Sequence, residues 1–279
     1  METLRLDGRL LANHIQQNLK EEIRNLPKKP HLAVIYIGDN AASTLYINMK
    51  TRVAETIGIQ STIHKIASTT STEEIVSFIQ QLNENPSVDG ILVQLPLPQH
   101  IDTNAVIEAI SPSKDADGLT SKNQGGLMTG YPTILPCTPL GCLRLIHQAR
   151  PVLTGLNAVV VGRSRLVGRP MAQLLLNENC TVAQAHSHTQ NLIEICARAD
   201  ILVSATGVRG LIKRDFVKPG AIVIDVGISK TEDGHIAGDV DATSVMGQAG
   251  WLTPVPGGVG PMTVAMLMSN MVNIVKHEF

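Results

Sequence analysis

Aromatic residues are scarce: Phe, Trp and Tyr together make up 3% of 279 residues. So few rings leave little with which to stack on bases, and a formal net charge of −1 without a basic stripe offers phosphate backbones no footprint. Nucleic acid is therefore not an expected partner. Long hydrophobic runs are missing too. No segment reaches the ~18 apolar residues of a membrane helix, and the opening METLRLDGRLL has no apolar core behind a basic start. These absences point to a soluble, cytoplasmic protein with no membrane partner. Cysteine is limited to Cys137, Cys142, Cys180 and Cys196, with no C-x-x-C pair and no zinc-like spacing with histidine. No metal site is expected, and the thiols read as buried and reduced.

What is present is aliphatic. Hydrophobic residues make up 43%, charged residues 17%, and 279 residues lie near the upper limit for one hydrophobic core, so two domains are expected. The stretch NAVVVGRSRLVGRP, Asn157 to Pro170, organises the second of them. Asn157 to Val161 is a strand-like run ahead of Gly162, and after Gly168 the residues Met171, Leu174, Leu175 and Leu176 fall at helical spacing. Strand, tight turn and helix in that order aim backbone N–H groups and the positive end of a helix at one point, which suits a phosphate. The pattern departs from G-x-G-x-x-G, and an ordinary strand-to-helix turn is the plain alternative. The next strand, Thr181 to Ala185, ends in His186, Ser187 and His188, where an NAD site would place an acid against the ribose hydroxyls. With Arg163 and Arg165 in the turn, that ending favours NADP.

The first half alternates strands and helices. Asp7 can cap a helix from Gly8 to about Leu26, and His31 to Ile37 is a strand that Gly38, Asp39 and Asn40 turn into a helix reaching Thr56. A strand at Ser61 to Ile66 follows, then a helix opened by a Ser71–Glu74 capping box, then a strand from Val88 to Gln94. Pro96 and Pro98 force the chain out of the sheet. A short helix from Thr103 to Ile110 leads into a polar, glycine-rich stretch, and Thr138 with Pro139 reads as the N-cap and first turn of a connecting helix to Ala149. The second half continues with strands near Asn157, Thr181, Asp200 and Ala221, a hairpin turn at Asp233 and Gly234, a short strand at Trp251 and a helix from Pro261 onward. Alternation of this kind implies parallel sheets with right-handed crossovers.

Tyr46 and Lys50 lie four apart on the second helix and share a face just beyond a strand end. A solvated lysine beside a half-buried tyrosine is the ordinary reading of such a pair. Gln94, at the end of the third strand, and Asp117, in the polar stretch, belong to the same sheet edge. Together they offer a base, an amide to orient it, a carboxylate for a polarised ring and an aromatic wall.

The set YINMK, ILVQLPLP, KDADG, PCTP, GRSRLVGRP, VIDVGI and TPVPGGVGPMTVAML, in that order along the whole chain, resembles the bifunctional methylenetetrahydrofolate dehydrogenase and methenyltetrahydrofolate cyclohydrolase family. The resemblance implies oxidation of 5,10-methylenetetrahydrofolate by NADP, then hydrolysis to 10-formyltetrahydrofolate. It implies an α/β protein of two domains with a cleft between them: an N-terminal catalytic and substrate domain over 1–138 and a Rossmann-like NADP-binding domain over 139–261, with the helix 262–279 packing back on the first. Lys50 matches the family's catalytic lysine, Gln94 the glutamine that positions it, Asp117 the aspartate that grips the pterin, and Tyr46 the tyrosine against the folate. Gly162, Arg163, Ser164, Ser187 and Ile228 match cofactor positions, and Pro256, Gly257 and Gly258 the loop beside nicotinamide and substrate. A homodimer is implied as well. Ala116 stands where Val is common, and His188 where Lys is frequent; a neutral imidazole attracts a 2′-phosphate less than an ammonium does.

Rivals are set aside on particular features. A short-chain dehydrogenase also carries a Tyr–Lys pair, but there it follows the glycine turn, whereas here it precedes Gly162. A shikimate-dehydrogenase-like enzyme fits the domain order without accounting for VQLPLP or TPVPGGVGP. A protein that only binds nucleotide or folate has no use for a lysine base.

Overall fold

The computed structural model describes every residue except Met1, Asn40, Pro132, Glu232, Glu278 and Phe279. The expected turn residue Asn40 and the last two residues of the expected C-terminal helix thus lie outside the described residues. The chain divides into two compact units, one of His14–Leu135 with Leu267–Phe279, the other of Met1–Asn13 with Pro136–Met266.

The unit built on His14–Leu135 holds a three-stranded parallel sheet in the order Gln60–Ile66, His31–Ile37, Gly90–Val93. Leu32 to Ile37 and all of Gly90–Val93 are buried, as expected where helices cover a parallel sheet on both faces. The helix Thr72–Glu84 presents Ile75, Ile79 and Leu82 to that sheet's core, and its capping box forms as expected: Glu74 N–H donates to Ser71 Oγ at 3.2 Å and Ser71 N–H to Glu74 Oε2 at 2.9 Å. The polar stretch after Asp115 contains a helix the sequence reading missed, Ser121–Thr129, capped by Thr120 and closed by left-handed Gly130 at φ 75°. From the last helix, Val259–Lys276, Asn270 Nδ2 donates to Ala116 O at 3.0 Å and Leu135 O at 2.9 Å.

The second unit is a six-stranded sheet in the order Leu4–Arg5, Trp251–Leu252, Ile222–Asp225, Ile201–Ser204, Asn157–Val161, Thr181–Ala185, parallel throughout. Leu4–Arg5 was not expected as a strand; it joins the edge through Leu4 N–H to Gly250 O and Leu6 N–H to Leu252 O, both 2.9 Å. The connecting helix starts at Cys137, two residues ahead of the expected first helical residue Pro139, with Pro136 as its cap. Thr138 is therefore no N-cap, and its hydroxyl meets that of Thr263 at 3.0 Å.

Candidate active site

In an open parallel sheet, ligands collect beyond the carboxyl ends of the strands, where strand order reverses. In the smaller sheet that point lies between His31–Ile37 and Gly90–Val93, since the chain moves to one side for Gln60–Ile66 and returns to the other for Gly90–Val93. Beyond Ile37 comes the helix Ala41–Ile57, which carries Tyr46 and Lys50, and beyond Val93 comes Gln94. Lys50 is only 6% exposed, and its Nζ donates to Gln94 Oε1 at 3.1 Å. Gln94 is fixed in turn by Nε2 donating to Leu95 O at 2.7 Å, which orients its oxygen toward the amine. The Tyr46 ring lies 5.3 Å from Lys50 Nζ, within cation–π range.

KDADG places its two acids differently. Asp115 is buried, with Oδ2 accepting from Thr120 N–H at 2.7 Å and Asn123 Nδ2 at 2.9 Å, so it pins the start of Ser121–Thr129. Asp117 is half-buried and close enough to Tyr46 to act on it: burial first, then the Asp117 charge, raises the tyrosine pKa above its usual value. Tyr46, Lys50, Gln94 and Asp117 thus form one group. Ala116 between the acids is fully buried, and a Cβ on Gly90 would approach its methyl at 3.3 Å, so the site's floor is tightly packed there.

In the six-stranded sheet the reversal lies between Asn157–Val161 and Ile201–Ser204. Gly162 follows the first of these at φ 128°, and a Cβ there would strike Ala205 O at the end of the second. A Cβ on Gly168 would strike Gly162 O. Both glycines are required, because backbone occupies the space a side chain would take. Ser164 Oγ accepts from Val167 N–H at 3.2 Å and Gly168 N–H at 3.4 Å, shaping the entry to the helix Gly168–Asn177. Arg163 is exposed beside this turn. His186 lies within its field: desolvation, then the charges of Arg163 and His188, lower the imidazole pKa. Ser187 is exposed next to it, and Ile228, beyond Ile222–Asp225, is 59% exposed. A backbone cradle with a guanidinium at its mouth fits a dinucleotide phosphate.

The loop before the last helix shows the same economy of space. Gly257 sits at φ 109°, a Cβ on Gly258 would meet Pro254 O at 2.7 Å, and one on Gly8 would strike Gly258 O. Pro256 is exposed while Gly257 and Gly258 are buried. Gly8 therefore shapes this loop from the other end of the chain, a role no local signal in METLRLDGRLL announces. Asp225 and Asp239, both buried where the loops after Ile201–Ser204 and Ile222–Asp225 meet, were also missed, because each reads locally as a strand-end or turn aspartate.

Comparison with known proteins follows this division. The family model described as tetrahydrofolate dehydrogenase/cyclohydrolase, catalytic domain, matches residues 6–117, and that described as the NAD(P)-binding domain matches residues 136–279. The chain belongs to the tetrahydrofolate dehydrogenase/cyclohydrolase family. Among its relatives, Bifunctional protein FolD of Acetivibrio thermocellus is 50% identical over 281 residues, covering 100% of this chain and 99% of the relative. The solved structure of the bifunctional enzyme FolD-methylenetetrahydrofolate dehydrogenase/cyclohydrolase from Campylobacter jejuni superposes with TM-score 0.96 at 43% identity, over 99% of each chain. That of the Trypanosoma brucei methylenetetrahydrofolate dehydrogenase-cyclohydrolase, complexed with NADP cofactor and inhibitor, gives TM-score 0.93 at 36% identity, covering 99% of this chain and 98% of that one. Shikimate dehydrogenase from Aquifex aeolicus shares only the fold, at TM-score 0.52 and 14% identity over 90% of this chain and 97% of that one.

Proposed function

We propose that this member of the tetrahydrofolate dehydrogenase/cyclohydrolase family oxidises 5,10-methylenetetrahydrofolate with NADP and hydrolyses the methenyl product to 10-formyltetrahydrofolate, supplying one-carbon units for steps such as purine biosynthesis. The observation that carries the reading is the buried Lys50 amine held on Gln94 at 3.1 Å, in a chain of this family. NADP, when bound, supplies the hydride acceptor. Gly162, Arg163, Ser164, Ser187 and Ile228 are the residues proposed to hold it, supported by the glycine cradle and the exposed guanidinium.

In the first step a folate nitrogen lone pair expels hydride from the bridging carbon, so the protein needs no base and its task is alignment. Tyr46 and Asp117 are placed to hold the folate, with Pro256, Gly257 and Gly258 proposed as further substrate contacts. In the second step water adds to the cationic methenyl carbon and must lose a proton. Lys50 is the proposed acceptor. A cationic substrate beside the amine disfavours the charged ammonium. A neutral amine that donates one N–H to Gln94 Oε1 keeps its lone pair for the water. Gln94 can orient the amine without the negative charge that would lock it as ammonium. The proton taken by Nζ passes to the ring nitrogen as the carbon–nitrogen bond breaks, the adduct's hydroxyl proton leaves to solvent as the C=O forms, and the formyl group stays on the other nitrogen.

The same reading takes the enzyme as a cytoplasmic homodimer. Thr181–Ala185 is an edge strand of its sheet, which leaves backbone groups available to a second copy. The buried, free cysteines suit a reducing compartment. Among the described residues no helix is long and apolar enough to cross a membrane.

The test is turnover of 5,10-methylenetetrahydrofolate with NADP or NAD, followed by absorbance. NADPH formation with subsequent loss of the methenyl band is expected. Reduction of neither cofactor would overturn the reading.

A further inference from the structure

Three segments meet at the carboxyl end of the six-stranded sheet: Ala205 to Gly207 after Ile201–Ser204, Val226 to Ile228 after Ile222–Asp225, and Gly238 to Val240. Two carboxylates with almost no exposed surface join them, Asp225 at 3% and Asp239 at 0%. Asp239 Oδ2 accepts from Ser204 Oγ at 3.1 Å, Thr206 N–H at 2.6 Å, Thr206 Oγ1 at 2.9 Å and Gly207 N–H at 3.3 Å. Its other oxygen, Oδ1, is buried and has no hydrogen-bond partner among the described residues. Asp225 spreads its bonds over both oxygens: Oδ1 accepts from Gly227 N–H and Asp239 N–H, and Oδ2 from Val240 N–H, each at 2.9 Å.

Neither carboxylate has room to move. A Cβ on Gly227 would strike the Asp239 carboxylate, and one on Gly238 the Asp225 carboxylate. The glycines of VIDVGI and AGDV are therefore there to admit the acids. The segment that Asp239 grips lies against the glycine turn, since Ala205 O is the atom a Cβ on Gly162 would hit.

We propose that Asp225 and Asp239 are positioning residues for NADP, a clamp that fixes Ala205 to Gly207 and Val226 to Ile228 in the spacing the cofactor requires. The proposal rests on the placement of NADP at Gly162 to Gly168 and Ile228. Both acids belong to the unit that carries Gly162 to Gly168, and Lys50 belongs to the other, so the clamp bears on cofactor affinity and leaves hydrolysis of methenyltetrahydrofolate alone.

The bond pattern ranks the variants. In Asp239→Asn the amide oxygen takes over the four donors and the NH2 falls where no donor points, so the clamp survives. In Asp239→Ala the donors lose their acceptor. In Asp225→Asn an NH2 is forced against a backbone N–H whichever way the amide turns. Titration calorimetry with NADP, alongside cofactor-free hydrolysis of methenyltetrahydrofolate, reads this directly. Asp239→Ala and Asp225→Asn are expected to bind NADP about tenfold or more weakly, Asp239→Asn within about threefold of the native protein, and all three to keep native hydrolysis. Folded Asp239→Ala or Asp225→Asn with native NADP affinity would overturn the clamp. If those two fail to fold, Ser204→Ala and Thr206→Val each remove one hydroxyl donor and are expected to weaken NADP about threefold; native affinity in both would overturn it equally. Native affinity in Arg163→Ala would instead show that the cofactor is placed wrongly, and the proposal would fall with that placement.

Discussion

Lys50 Nζ donates to Gln94 Oε1 at 3.1 Å, tying the middle of the helix Ala41–Ile57 to the end of the strand Gly90–Val93. The pair joins residues 44 apart, and its partner is an amide, so the amine is oriented without being charged by its neighbour. Replacing that amide by a carboxylate tests the logic. Gln94→Glu keeps the shape and favours the ammonium, so cyclohydrolase activity is expected to fall at neutral pH and recover as pH rises. A pH–rate profile of methenyltetrahydrofolate hydrolysis checks this, and an unshifted profile would contradict it.

The two acids of KDADG are expected to fail in different ways. Asp115→Asn sets an NH2 or a poorer acceptor against Thr120 N–H and Asn123 Nδ2, and should cost about 1–3 kcal/mol of stability. Asp117→Asn should leave the melting temperature near native and raise KM for the folate substrate. Thermal melts set beside steady-state kinetics separate the two effects, and equal losses of stability in both variants would contradict the assignment.

Asp225 makes stability depend on pH. Burial pushes its carboxyl up to about 6; the N–H groups of Val240, Asp239 and Gly227 oppose this, and the Asp239 charge adds to it. The folded chain therefore holds this proton at pH values where the unfolded chain, titrating near 3.8, has released it. Stability from this group is greatest below about pH 4 and is lost as pH rises to about 6. Asp239→Asn removes the repelling charge and should flatten that loss. Denaturant unfolding at pH 4.5 and 6.5 measures it, and equal pH slopes in native and variant proteins would contradict the coupling.

Local chemistry was legible in the sequence. The Ser71–Glu74 capping box, the i, i+4 placement of Tyr46 and Lys50 and the Gly162 to Gly168 turn each depend on residues within a few positions of one another. Features joined across long separations were not. Leu4–Arg5 is too short to show a period and becomes a strand only because Trp251–Leu252 offers it a partner. Gly8 owes its identity to the carbonyl of Gly258. Thr138 resembled an N-cap by composition, yet the helix begins at Cys137 and its hydroxyl faces Thr263. Ser121–Thr129 was hidden by Gly125 and Gly126, which weaken any helical signal while its cap, Thr120, is set from Asp115. The Asp225–Asp239 clamp depends on both kinds of information at once: the glycines that admit it are visible in the sequence, their reason only in the fold.

The most direct test is Lys50→Ala, assayed for NADPH formation and for methenyl hydrolysis in the same cuvette. Hydrolysis is expected to fall by about 10²–10⁴-fold while the folded variant still binds NADP as tightly as the native protein. Native hydrolysis in Lys50→Ala would contradict the central role given to this lysine.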